Sequence, residues 1–336
     1  MSSPTADMRL VDLVPPSWFK DPKESSVWMR GYWARPVLAK DLPQERVELP
    51  LTQAIAVLSH RAVSYWFAER PDIEPTDTRD ARFRTPRRHG FVTTPPGIYF
   101  TLVVPHVVDG IGASEEFTEQ RLDQLEGLLV GYSGRSMVYR RLFDNIVHLG
   151  TGQITIYFGA VDNPAWYDPP NFGAAQLALL AAIDNARAVA PAPLRNRIDL
   201  SLRWLAYATR DHGVDAFLKY WVAIETLSMP DTNVKPANQL LANAYGLLRN
   251  DAAQRFCLGR IQGIRGAIVH KGSRIEIPGE VAKYLEALYF DLLSAVLNAA
   301  TLRRALPLLN QGSFSMSSWV AQAVRSPSGK RLERGI

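Results

Sequence analysis

Residues 264–272, which read Ile-Arg-Gly-Ala-Ile-Val-His-Lys-Gly, are the most informative stretch of the chain. They hold a guanidinium, Arg265, and an imidazole, His270, five residues apart at the predicted end of a helix. Histidine exchanges protons near neutral pH, and arginine is a permanent cation whose planar fork matches phosphate oxygens. The pair therefore has the chemistry for breaking a phosphodiester without a metal ion. An arginine and a histidine at this spacing are common by chance, so the surrounding sequence determines how strongly the pair indicates a catalytic site.

A second informative stretch lies upstream, where residues 217–227 read FLKYWVAIETL. The spacing of its large apolar residues predicts a helix with one buried stripe, formed by Phe217, Trp221, Ile224 and Leu227. Glu225 follows Trp221 by four residues, so it falls on the same stripe. A carboxylate is thus predicted to point towards the core.

Arg265 lies among the apolar residues of its own predicted helix. It follows Ile261 by four residues and precedes Ile268 by three, on the face that also holds Ile264. An unpaired buried charge is costly, so we expect Arg265 and Glu225 to form an ion pair.

These two stretches, FLKYWVAIETL and IRGAIVHKG, resemble the HEPN domain family, in particular its ApeA-like branch. The R-x4-6-H element is the signature of that family, and an aromatic-aliphatic helix with an internal glutamate is typical of the branch. The resemblance covers about residues 172–305. It departs from the common pattern at Gly266, where active members often carry asparagine or aspartate.

The resemblance implies a metal-independent endoribonuclease that uses no cofactor. In such an enzyme the ribose 2′-hydroxyl attacks the adjacent phosphate and leaves a 2′,3′-cyclic phosphate. The implied catalytic residues are Arg265, which stabilises the transition state, and His270, which moves protons. Family members bring two such motifs into one cleft, so the resemblance also implies a homodimer through the helical domain. Glu225 is then a supporting residue rather than a catalytic one.

RNA is the partner that the charge distribution favours. Residues 1–170 carry 18 Lys and Arg against 21 Asp and Glu, whereas residues 171–336 carry 20 against 12. The basic excess therefore belongs to the half with the candidate pair. Lys271, Arg274 and Arg260 flank this pair and are the expected RNA-binding residues. By family analogy the protein is a toxin or an antiviral defence effector.

An alternative of another class stays open. A HEPN domain without catalysis serves as a dimerisation module or as a module that binds a nucleotide or another ligand. Gly266 favours this alternative, whereas Arg265, His270 and the basic C-terminal half favour the enzyme.

Length and composition predict a two-domain cytoplasmic protein. The 336 residues include one cysteine, so an internal disulfide and a cysteine-rich zinc site are excluded. The N-terminus shows no secretory signal, and no apolar run reaches membrane-spanning length, so no membrane association is expected. None of the remaining histidines shows metal-ligand spacing, and no metal is expected.

We predict an α+β chain in three parts. Residues 1–170 form a mixed α/β domain, a sensor or regulatory domain that binds a ligand or protein. Residues 171–310 form an all-α HEPN-like bundle, and residues 311–336 a short helix around Trp319 with a flexible tail.

The spacing of apolar residues and the positions of capping and helix-breaking residues predict the individual elements. The predicted helices are 46–69, 115–130 with Ser114 as N-cap, 174–190, 194–210, 213–228, 236–249, 251–269 and 278–305. Strands are predicted at 97–108 and 152–161, and an exposed loop at 71–96.

Overall fold

The computed structural model describes residues 8–15, 25–34, 46–59, 63–68, 89–93, 98–107, 113–133, 141–149, 154–156, 174–299 and 303–325. Internal contacts divide the chain into two compact units, Met1–Asn185 and Ala186–Ile336. The predicted α+β class is confirmed, since a sheet-containing unit precedes a helical one. The domain boundary predicted near residue 170 lies outside the described residues.

The first unit is built on antiparallel strands. Its described strands are β1 (Met8–Arg9), β2 (Ser25–Ala34), β3 (Arg46–Leu51), β4 (Ala54–Ser59), β5 (Val63–Ala68), β6 (His89–Thr93), β7 (Ile98–Val107), β8 (Arg141–His148) and β9 (Ile154–Ile156), with helix α1 (Ala113–Ser133) between β7 and β8. Six strands form one sheet in the order β3-β4-β7-β2-β8-β9, and β1, β5 and β6 form a second sheet. The central strand β2 pairs with β7 from Ser25–Val107 to Ala34–Ile98.

A buried charge cluster joins α1 to β2 in this unit. Arg30 Nη1 on β2 donates to Asp123 at 2.9 Å and to Glu126 at 2.8 Å, both on α1. The Tyr32 hydroxyl donates to the same Glu126 oxygen at 2.6 Å. All four side chains are nearly inaccessible, so each charge depends on these partners for its stability in the core.

The helix predicted for residues 46–69 is wrong. The segment forms β3, β4 and β5, with a turn at Thr52 and Gln53 between the first two strands. Its apolar residues fit a period of two as well as a helical period, and such a short apolar run is ambiguous. Pro50 lies in β3, an edge strand of its sheet, where proline is tolerated.

The other predictions for this unit have mixed outcomes. Strand β7 confirms the prediction for 97–108, and β9 covers three residues of the predicted strand 152–161. Helix α1 is confirmed, but it begins at Ala113, so Ser114 lies inside it and is not the N-cap. Strand β6 lies within the predicted loop 71–96, of which residues 71–88 and 94–96 are outside the described residues.

Helices dominate the rest of the described chain. They are α2 (Ala174–Val189), which crosses the unit boundary, α3 (Ala192–Thr209), α4 (Gly213–Ser228), α5 (Val234–Tyr245), α6 (Arg249–Phe256), α7 (Leu258–Lys271), α8 (Gly279–Val296) and, after the short hairpin β10 (Asn310–Gln311) and β11 (Phe314–Ser315), α9 (Met316–Arg325). Helix α9 confirms the short helix around Trp319, whereas the tail 326–336 lies outside the described residues.

The core of the helical unit lies between α4 and α8. Helix α4 packs against both α3 and α8. Its predicted buried stripe is confirmed, since Phe217, Trp221 and Ile224 have no exposed surface and Leu227 is 1% exposed. Helix α8 is buried over most of its length. Packing against α3 and α8 therefore fixes the position and rotation of α4.

Three predicted helices are shorter or divided in the structure. The helix predicted for 236–249 ends at Tyr245, and Gly246 follows in the left-handed conformation with φ 67°. The helix predicted for 251–269 is divided at Cys257, which adopts a left-handed conformation with φ 57°. The helix predicted for 278–305 ends at Val296, and Asn298 follows with φ 52°. Asparagine tolerates this conformation better than most residues, so Asn298 was the available signal for the end of α8.

The buried carboxylate of Asp291 ties the segment after α8 back onto that helix. It accepts hydrogen bonds from the backbone N–H groups of Arg304 at 3.0 Å and Ala305 at 2.8 Å, and from the Tyr245 hydroxyl. Burial and this hydrogen bond raise the pKa of Tyr245 above its ordinary value. Burial likewise raises the pKa of Tyr284, whose hydroxyl donates to the Phe256 carbonyl at 2.9 Å.

We predict that the helical unit loses stability above about pH 10. A pKa that is higher in the folded than in the unfolded chain means that the folded protein holds the proton more tightly. Stability is therefore complete below the ordinary tyrosine pKa of 10.0 and falls as the pH rises above it. Tyr284, which is fully buried, contributes a slope of up to about 1.4 kcal/mol per pH unit.

The measurement is the free energy of unfolding in urea between pH 8 and pH 11, for the wild type and for Tyr284→Phe. The variant should lose stability near neutral pH, because the hydrogen bond to Phe256 is gone, and should show a shallower alkaline slope. An alkaline slope equal to that of the wild type would contradict this account of Tyr284.

Candidate functional site

The candidate site is built on α7, one face of which is buried. Leu258, Ile261 and Ile264 are at most 1% exposed and hold this face against the core. The helix contacts α4, α5, α6 and α9. Its remaining faces carry the candidate residues, so the buried face determines which of them reach solvent.

The predicted pair of Arg265 and Glu225 is confirmed as an ion pair. Arg265 Nη2 lies 3.8 Å from Glu225 Oε2 on α4, and the two side chains are 29% and 12% exposed. This distance is too long for a hydrogen bond, so the attraction is purely between the charges. The pair lies at the edge of the core rather than inside it. Arg265 is therefore oriented by Glu225 while part of its guanidinium remains open to solvent.

The end of α7 is partly as predicted. Gly272 follows the helix in the left-handed conformation with φ 61°, which confirms it as the residue that ends the helix. The Ser273 N–H donates to the Ala267 carbonyl at 3.2 Å and closes the last turn. The expectation that His270 leaves the helix is wrong, since α7 continues through Lys271.

His270 and Arg265 consequently lie on different sides of one helix. Five residues amount to about 140° of rotation and about 7.5 Å along the axis. His270 is exposed, whereas Arg265 is half-buried beside the core. One copy of the chain therefore does not direct both side chains at one phosphate from the same face of α7.

The three predicted RNA-binding cations are exposed and lie apart. Arg260 and Lys271 are eleven residues apart, which puts them on one face of α7 but about 16 Å apart along its axis. Arg274 follows the helix, two residues beyond Gly272. These cations extend the positive surface from the start of α7 to beyond its end rather than surrounding a pocket.

A glycine face on α7 accompanies His270 and was missed in the sequence. Gly259, Gly263 and Gly266 share the exposed side of the helix with His270. A methyl group added at any of the three would meet no atom within 4 Å. The signal was the spacing G-x3-G-x2-G-x3-H, which repeats at helical intervals. Backbone on this glycine face is accessible for close approach by another surface.

The C-terminal helix also contributes to the site, which no sequence pattern indicated. Helix α9 packs against α7. Trp319 on α9 donates its indole N–H to the Glu276 carbonyl at 3.2 Å, and its ring meets that of Phe217 on α4 at 6.2 Å. The segment that carries Arg274 is thereby held between α7 and α8.

In the described part of the chain, no group of three His, Cys, Asp or Glu side chains could hold a metal ion. None of the helices in the described ranges is long and apolar enough to cross a membrane.

The chain matches no protein-family model, no curated protein and no solved structure.

We predict opposite effects for alanine at two glycines of the helical unit. Gly272→Ala should lower the free energy of unfolding by about 1–2 kcal/mol, because an L residue at φ 61° is strained. The matched substitution Gly279→Ala lies in the first turn of α8, away from the glycine face, where the added methyl meets nothing, and should raise it by about 0.4–1 kcal/mol.

Urea unfolding followed by helical circular dichroism measures both values. Effects of the same sign in the two variants would contradict the assigned end of α7.

Proposed function

We propose that the protein is a HEPN-type, metal-independent endoribonuclease whose catalytic residues are Arg265 and His270. The observation that carries this proposal is the ion pair between Arg265 on α7 and Glu225 on α4. The last turn of the same helix α7 presents an exposed His270. Glu225 orients the guanidinium without burying it, so Arg265 keeps donors for a phosphate. The resemblance of the two stretches to the ApeA-like branch supports the same assignment.

The proposed reaction is an internal transfer at one phosphate of RNA. The 2′-hydroxyl loses its proton to a base and attacks the adjacent phosphorus, while the 5′-oxygen of the next nucleotide leaves and takes up a proton. The products are a 2′,3′-cyclic phosphate and a 5′-hydroxyl. Histidine is suited to move both protons, and Arg265 would neutralise the charge that develops on the nonbridging oxygens.

We propose that the active form is a homodimer formed through α7. Arg265 and His270 lie about 140° apart on one helix, so a second copy is needed to complete a cleft with both groups. The glycine face lies beside His270 and leaves room for a closely packed partner helix. A two-fold axis through this face would bring two R-x4-H elements together, as in the family that the sequence resembles.

The cations on and beyond α7 then serve as RNA contacts. Lys271 follows His270 directly, and Arg274 lies in the segment that Trp319 anchors. Arg260 lies at the start of the helix and would contact phosphates further along the strand. The basic balance of residues 171–336 supports a polyanionic substrate.

The biological assignment rests on the family resemblance. We propose a toxin or antiviral effector acting in the cytoplasm, with residues 1–170 as a regulatory domain that senses a ligand or protein. The buried cluster around Arg30, Asp123 and Glu126 makes the core of that domain dependent on α1.

A second candidate is a HEPN module without catalysis, which dimerises or binds a nucleotide or another ligand. Gly266 favours it, because the polar residue often found after the arginine of active family members is absent. The position has open space around it, so the absence is a matter of chemistry rather than of steric exclusion.

We predict that purified protein cleaves labelled mixed-sequence RNA in EDTA. Arg265→Ala and His270→Ala should each lower the cleavage rate at least about 100-fold, because each removes a group that acts in the transition state. Matched controls are Arg255→Ala on α6 and His212→Ala before α4, both at exposed positions. These should stay within about twofold of the wild type.

Sedimentation of the wild type at micromolar concentration should give the mass of a dimer. A dimeric wild type that leaves folded and unfolded RNAs intact would favour the module without catalysis. Equal cleavage by His270→Ala and His212→Ala would reject the assigned histidine.

A further inference from the structure

The side of α3 that faces away from the helical core carries an unusual set of residues. With about 100° of rotation per residue, Leu200, Arg203, Trp204, Tyr207 and Arg210 lie opposite the helix's buried face. Leu200 is 45% exposed, and the other four are partly exposed. An outward helix face is usually polar, so two aromatic rings and an exposed leucine there indicate a binding surface. We call these five residues the α3 outer face.

The aromatic side chains of the α3 outer face are held in a defined arrangement. The rings of Trp204 and Tyr207 meet edge to face, with centroids 6.1 Å apart and planes at 84°. The Arg210 guanidinium carbon lies 5.6 Å from the centre of the Tyr207 ring. Tyr207 is thus covered on one side by a cation, and this arrangement orients Trp204 beside it.

The charge balance of this surface is positive. On and just after α3, Asp199 pairs with Arg187 at 2.7 Å, and Asp211 pairs with Lys219. These two carboxylates are therefore neutralised by cations outside the α3 outer face. Arg203 forms no hydrogen bond or ion pair with another described residue. Its Nε is buried, so the terminal nitrogens of its guanidinium are the donors left to bind an anion.

We propose that the α3 outer face binds single-stranded RNA, with a base stacked on Trp204 and a phosphate bound by Arg203. Unpaired bases stack on flat aromatic rings, and the phosphates of the backbone bind arginine, so these two residue types together suit a single strand. Duplex RNA hides its base faces, and a second copy of this surface would oppose cation to cation. The identity of the ligand as RNA rests on the proposed function, but binding is measured separately from cleavage.

The test uses a labelled single-stranded oligonucleotide of about 12 nucleotides with 2′-O-methyl riboses, which cannot undergo attack by the 2′-hydroxyl. Fluorescence anisotropy gives its Kd for the full chain at several salt concentrations. Trp204→Leu should raise the Kd about fivefold or more, because one stacked base contributes at least that much. Arg203→Gln should reduce the slope of log Kd against log salt by about 0.7, the effect of one lost phosphate contact on a single strand.

The matched control is Lys235→Gln, which removes one exposed positive charge on α5 and should change neither quantity. Circular dichroism verifies that the variants are folded. Absence of binding by the wild type, or a Kd and salt slope unchanged in both α3 variants, overturns the proposal. The proposal is also overturned if the two α3 variants lose as much affinity for a duplex of the same sequence as for the single strand. Binding of an acidic polypeptide through Trp204 in place of RNA overturns it as well.

The two proposals fail in different ways. A wild type that binds this probe through Trp204 and Arg203 but cleaves no RNA supports the α3 outer face and rejects the ribonuclease. Arg255→Ala on α6, at an exposed position in neither site, should bind the probe as tightly as the wild type does. A loss of binding in Arg255→Ala equal to that in the α3 variants would overturn the separate surface.

Discussion

Burial of the apolar stripe of α4 is the constraint on which the helical unit depends. Phe217, Trp221 and Ile224 are fully buried, and α4 packs on both α3 and α8. This packing fixes the rotation of α4, and with it the edge position of Glu225. Glu225 in turn attracts the guanidinium of Arg265, which lies on α7. The position of the candidate catalytic arginine therefore follows from the core rather than from the loops.

Partial exposure is what makes the Arg265–Glu225 pair useful. A fully buried pair would cost desolvation energy and leave no donor for a ligand, whereas a fully exposed pair would contribute little to orientation. At 3.8 Å, with the arginine 29% exposed, the pair lies between these limits. Binding of a phosphate to Arg265 would compete with Glu225 for the guanidinium. The same helix leaves its glycine face uncovered beside His270, which is where a second copy is proposed to supply the missing half of the cleft.

The sequence predicted well what depends on local signals. Helix α4 has the predicted bounds 213–228, and Gly272 ends α7, because apolar periodicity and glycine act over a few residues. It predicted badly what tertiary contacts decide. Residues 46–69 fit two periods, and pairing in the sheet selected strands. The contact of Trp319 with the Glu276 carbonyl joins positions 43 apart, and no local pattern encodes it. The continuation of α7 through His270 shows why a motif alone does not give the geometry of a site.

The most direct test of the central claim is the chemistry of one cleavage site in EDTA. An RNA that the protein cuts at a single position is compared with the same RNA carrying one 2′-deoxy nucleotide there. The account predicts a 2′,3′-cyclic phosphate and a 5′-hydroxyl from the first, and no cleavage of the second at that position. Cleavage that persists without the 2′-hydroxyl, or that requires a divalent metal, would contradict it.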